Sequence, residues 1–125
     1  MPKYMISFND GDMTFPEEDF AAVGGAAHAV MKEGVEAGIW LKGGGGFMGF
    51  TPRVVGLDGV VTEGPLAESS VHIGGFAVIE VENDEEANRW AHKIAVACRC
   101  PQEVRMIMND PIGDEIFRVF DNKIN

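Results

Sequence analysis

The chain is predicted to be an α+β domain of the ferredoxin-like kind, and three observations predict it. Apolar residues alternate with polar ones at the start of the chain, in the pattern of a strand with one buried face. Two later stretches, residues 16–38 and 84–99, instead repeat their apolar residues at helical spacing, and each is flanked by strand-like runs. Between these halves Asp58-Gly59 separates two short apolar runs, a strong hairpin signal. The resulting order is β-α-β, hairpin, β-α-β, in which two helices cover one face of a sheet.

In the first strand Tyr4, Ile6 and Phe8 alternate with Met5, Ser7 and Asn9, and Asn9-Asp10-Gly11-Asp12 ends it as a turn. The first helix carries Phe20, Val23, Ala27, Val30, Met31, Gly34 and Val35 on its apolar stripe, and Pro16, Glu17, Glu18 and Asp19 suit its first turn. Glycines 24, 25 and 34 each cost about 1 kcal/mol against alanine in an exposed helix, so close packing against the sheet is expected of them. Ile39, Trp40 and Leu41 begin a second strand. It runs into Gly43-Gly44-Gly45-Gly46, whose propensity argues against regular structure. The hairpin joins Arg53–Leu57 to Val60–Thr62, and Glu63-Gly64-Pro65-Leu66 reads as a loop. Gly75–Val81 is a central, largely buried strand.

The second helix starts at Asn83 or Asp84, buries Ala87, Trp90, Ala91, Ile94 and Cys98, and stops at Pro101. Residues 103–108 alternate as another strand, and Ile116, Arg118 and Phe120 alternate with Phe117 and Val119 as a short last one. Neither a repeat nor an interdomain linker interrupts this order, so residues 1–125 read as one domain. The sheet face away from the helices, bearing Tyr4 or Met5 and Phe76 or Ala77, is left bare, and a second copy is its expected cover.

Composition narrows the partners. Hydrophobic residues make up 46% and charged residues 24%, the ordinary range of a folded domain. Ten Lys and Arg are scattered among twenty Asp and Glu, a net charge of −10, which argues against a nucleic-acid binder because no basic face is concentrated. The absence of a long apolar run and of a signal-peptide pattern after Met1 makes a cytoplasmic, non-membrane protein the expectation. Cys98 and Cys100 are too close in sequence for an easy mutual disulfide and are expected to be buried free thiols. Three histidines on separate elements lack metal-ligand spacing, and neither a metal nor a cofactor is expected.

The residues with chemistry to offer gather at one loop and one helix. His72 lies between that loop and the central strand, close in sequence to Glu63, Glu68 and Ser69, a set able to hold a proton-transfer pair. His28, at the edge of the first helix's stripe, is the second candidate acid or base, whereas His92 is expected to be solvated. Gly64 and Pro65 fix the turn, and Phe47 beside the glycine run is a candidate lid. The run itself lacks the Lys-Ser/Thr that a phosphate-binding loop requires. Two functions follow: a protein that binds a small organic molecule and does acid–base chemistry on it, or a non-catalytic interaction module.

The segment Asp58-Gly59-Val60-Val61-Thr62-Glu63-Gly64-Pro65-Leu66-Ala67-Glu68, followed by Gly74-Gly75-Phe76, resembles the signature of the DGPF-type branch of the YCII-related family. Lys3–Ile6, Glu36-Ala37-Gly38 and the helix from Asp84 fall where that family has them, and Glu63 and Leu66 stand where Asp and Phe are typical. The resemblance implies a dimeric α+β barrel with a dimer-associated cavity. It also implies a histidine on the first helix as a proposed catalytic group, close to His28, and an association with sigma-factor-like regulators.

Overall fold

The computed structural model describes residues 1–47, 52–64 and 72–124, the last five by backbone alone. The alternating start of the chain forms β1 (Lys3–Asn9), followed by α1 (Phe20–Glu36), which a 3-10 turn at Glu17–Asp19 leads into. Next come β2 (Trp40–Gly46), β3 (Arg53–Val55), β4 (Val61–Glu63) and β5 (Ile73–Glu80). The chain ends with α2 (Asp84–Cys98), β6 (Glu103–Met106) and α3 (Pro111–Ile124). Four strands make one sheet in the order β2-β5-β1-β6, every neighbour antiparallel, and β3 pairs with β4 in a separate hairpin. The hairpin is an insertion between β2 and β5. Without it the order is compatible with the ferredoxin-like plan.

Register assigns the two sheet faces. Tyr4 and Ile6 of β1 share a core with Ala77, Ile79 and Val81 at β5 and with Trp90, Ala91 and Ile94 of α2. On the opposite face Met5 pairs with Val78 and Ser7 with Phe76, flanked by Arg105 and Glu103 of β6. On that face Ser7 is buried and Met5, Phe76 and Val78 are half-buried.

α2 begins as its sequence implies: the Asn83 side chain accepts a hydrogen bond from the Glu86 N–H at 2.9 Å, and acids fill the first turn. Tyr4 ties β1 to the same helix start, donating its hydroxyl proton to Asp84 Oδ1 at 2.7 Å. That bond, reinforced by burial of the phenol, pushes the Tyr4 pKa up to about 12. An unfolded tyrosine ionises near pH 10, so this stabilisation is complete below about pH 10 and is lost as the pH rises towards 12. Tyr4→Phe is therefore expected to lower the melting temperature at pH 7 and to flatten its decline between about pH 10 and 12; urea unfolding across that range checks it.

Three expectations are corrected. The alternating residues 116–120 are not a strand but lie inside α3. Asp110 accepts from the Gly113 N–H at 3.0 Å and Pro111 supplies the first helical residue, so the helix is nucleated before the ambiguous stretch begins. The glycine run is part of β2 and not a loop, with Gly43 opposite Ala77 and Gly46 opposite Gly75, although the register shifts between them and φ is positive at Gly43 and Gly44. Backbone pairing to β5 supplies the order that propensity denies it.

Of the three glycines of α1, only Gly34 is in close packing, with the Trp40 side chain where a β-carbon would stand. Around Gly24 and Gly25 such a carbon would meet nothing within 4 Å. Gly25→Ala is accordingly expected to stabilise the chain by about 1 kcal/mol, a rise of about 3–5 °C in melting temperature by calorimetry.

Candidate functional site

The described sequence-predicted residues do not converge on one centre. His72 is half-buried just before β5, where its backbone carbonyl accepts from the Asp10 N–H at 2.8 Å. Glu63 is exposed at the end of β4 opposite Arg53, and Gly64, at φ +101°, donates its N–H to the Pro52 carbonyl at 2.7 Å. These bonds close the hairpin. Phe47 is 59% exposed, its ring centroid 5.9 Å from that of Phe76. Pro65, Glu68 and Ser69 lie outside the described residues, so the expected His72–Glu68 pair does too. His92 is exposed on α2.

His28 has a different setting. It is an exposed residue of α1 on the rim of a cavity of about 210 Å³ between α1, α2 and the sheet. Phe8 from β1, Trp40 from β2 and Ala77 from β5 form the sheet side. Val23, Gly24 and Ala27 of α1 and Ile94, Ala97 and Cys98 of α2 form the helix side, with Met13 and Phe15 closing the end nearest the β1–α1 connection. The exposed members Phe20, His28, Gly45 and Gly46 mark an opening between α1 and the edge strand β2.

The cavity exists because of small residues in facing positions. β2 contributes Gly44, Gly45 and Gly46 to the wall; at Gly44 the Met31 side chain stands where a β-carbon would be, and Gly45 and Gly46 leave their backbone bare. The Trp40 indole is held by donating its N–H to the Gly43 carbonyl at 3.1 Å, so its ring lies along the wall with its polar edge satisfied. On α1 the stripe that reads as core is divided: Val23 is buried, Ala27 and Val30 line the void, and Phe20 is 71% exposed.

No lysine, arginine, aspartate or glutamate is among the lining residues. The polar side chains there are His28, Gln102 and Cys98. Gln102 donates its amide to the Cys100 carbonyl at 3.3 Å, which fixes its orientation. Burial pushes the Cys98 and Cys100 thiols up from their usual range, so both are neutral, free thiols at pH 7. Among the described residues no three His, Cys, Asp or Glu side chains are grouped to hold a metal, and no helix is long and apolar enough to cross a membrane. What this geometry can do is remove an apolar molecule from water and present one edge of it to an imidazole.

Sequence reasoning placed His28 where the first helix meets the sheet, towards a cavity there, but did not identify the residues that leave the space. The available signal was the coincidence of a glycine run after Trp40 with small residues at 24, 27 and 97 on the inner helix faces. Fold and site together define an α+β domain with an uncharged internal cavity. The chain matches no protein-family model and no curated protein.

Proposed function

We propose that this chain is a cytoplasmic, YCII-like protein that binds a small organic molecule in the cavity between its helices and sheet, and that it works as a homodimer. The observation that carries the binding reading is the cavity of about 210 Å³, open on one side and lined without a charged side chain. An acid–base step on a bound molecule falls to His28 at the rim. His72, with Glu63 and Glu68, is the second candidate; His72 and Glu63 lie outside the lining.

Support for the dimer comes from the surface. α3 has Ile112 77%, Ile116 53% and Phe117 72% exposed, and its Asp114 forms an ion pair with Lys3 of β1. The half-buried Met5, Phe76 and Val78 add the open sheet face. Apolar surface on both elements favours a cover, and a second copy offers the same two surfaces in return. The resemblance of Asp58–Glu68 to the DGPF-type signature points the same way.

Thermal-shift screening against a library of metabolites tests the binding reading. A ligand at 100 times its Kd is expected to add about 2.7 kcal/mol of stability, a shift of several degrees. A library in which no compound moves the transition would end this reading. Sedimentation of a stable monomer at micromolar concentration would remove the dimer.

A further inference from the structure

We infer that the ligand of this cavity is an uncharged molecule built on a flat ring system of one or two fused rings. The inference rests on the cavity being a binding site and goes further, to what enters it. Size comes first. An apolar cavity of about 150 Å³ takes up benzene, so the 210 Å³ here leaves room for a second fused ring and little else inside the walls.

Charge comes next. A carboxylate or phosphate would be desolvated with no cationic side chain to meet it, inside a chain whose net charge is −10. A primary ammonium would find no carboxylate in the lining. Hydrogen bonding is limited to Gln102, whose amide nitrogen already donates to Cys100, the weak Cys98 thiol, peptide groups of the glycine strand, and His28 at the opening. One polar substituent placed towards the rim satisfies that set.

Shape is the third argument. Phe8, Phe15, Phe20 and Trp40 supply ring surfaces from three parts of the chain. Opposite the helix, the backbone of β2 is bare at Gly45 and Gly46, and peptide planes without side chains make a flat wall against which a ring can lie. The fold does not itself require these glycines. A β-carbon on Gly45 would meet nothing within 4 Å, and one on Gly46 would make only an ordinary contact with the Gly74 carbonyl at 3.5 Å. Neither has a positive φ. Gly24 on the α1 wall is equally free, at the cost in helix propensity that a glycine always brings.

Calorimetric titration of the intact chain with defined probes tests this. Indole and 2-naphthol are the neutral flat probes, indole-3-carboxylate is the anionic one and 1-octanol the flexible one. The expected result is saturable binding of the neutral ring compounds, at least about tenfold tighter than of indole-3-carboxylate or 1-octanol. Gly24→Leu, which fills the slot from a helix position that leucine favours, and Ala97→Leu, which fills it from the buried face of α2, are each expected to weaken ring binding by at least about tenfold. Gly25→Ala, outside the lining, leaves it unchanged. Two filling variants on different elements keep the test valid if one of them folds poorly. Equal or tighter binding of the carboxylate or the alcohol would overturn the ligand class while leaving small-molecule binding intact. So would a failure of every ring probe alongside a library compound that shifts the melting temperature. Full ring binding in both filled variants would place the rings elsewhere and overturn the inference as well.

Discussion

Trp90→Ala is expected to destabilise the chain by about 3–5 kcal/mol, enough to unfold much of a domain whose total stability is of the order of 5–15 kcal/mol. The indole is 3% exposed, the largest side chain that α2 places in the core with Tyr4, Ile6 and Ile79. Its ring also lies 5.2 Å from the Arg89 guanidinium carbon and 5.3 Å from the Lys93 ammonium, so truncation leaves two cations without the face they cover. Urea unfolding followed by circular dichroism measures the loss. A drop below about 1 kcal/mol would show that α2 does not seat this ring in the core.

Gly43→Ala is the second large effect, expected at about 2–4 kcal/mol from two independent causes. The residue has φ +84°, which a side chain disfavours, and its β-carbon would stand 2.5 Å from the Phe76 carbonyl oxygen and 3.1 Å from the Ala77 α-carbon. Both obstacles are backbone atoms of the central strand, so neither can turn aside. Relief requires β2 to separate from β5, which also disturbs the Gly43 carbonyl that holds the Trp40 indole. Gly45→Ala, two residues on with free space and ordinary φ, is expected to change stability by less than about 0.5 kcal/mol. Chemical denaturation of the two variants side by side separates a glycine the fold needs from one it does not. Equal losses would mean that the pairing of β2 with β5 is not as described.

What was legible in the sequence depended on how much chain each signal occupied. Residues 84–98 repeat their apolar positions over four turns between a cap and a proline, and all five residues read as the inner stripe are buried. The hairpin at Asp58-Gly59 was fixed by two residues because positive φ there suits glycine, found at +84°. The stretch 116–120 failed because five residues fit a period of 2 and a period of 3.6 almost equally. The deciding information was outside that window, in the Asp110-Pro111 cap and the Ile112, Ile116, Val119 spacing.

The candidate site was less legible than the fold. His28 was identified from its angle on α1 because that angle depends only on helix geometry. The grouping around His72 was a guess from nearness in sequence, and contact between loop residues depends on backbone paths that no local signal encodes. An apolar stripe looks the same whether it faces a filled core or a void: Val23 and Ala27 are apolar for either reason, and only the distance to the opposite wall distinguishes them.

By itself, then, the sequence determined the order of the elements through Glu103–Met106, the buried face of α2, the hairpin turn, the uncharged thiols and a charge unsuited to nucleic acid. These follow from periodicity, turn chemistry and composition, which are properties of short segments or of the whole count. Only the tertiary structure decided that the glycine run joins the sheet through Gly43 and Gly46, that Gly34 is needed against Trp40 while Gly24 and Gly25 are not, and that small residues on α1, α2 and β2 leave an uncharged cavity with His28 at its rim. Each of these is a relation between residues distant in the chain. A missing side chain becomes a strand contact or an empty space only when the opposing backbone has been brought to it.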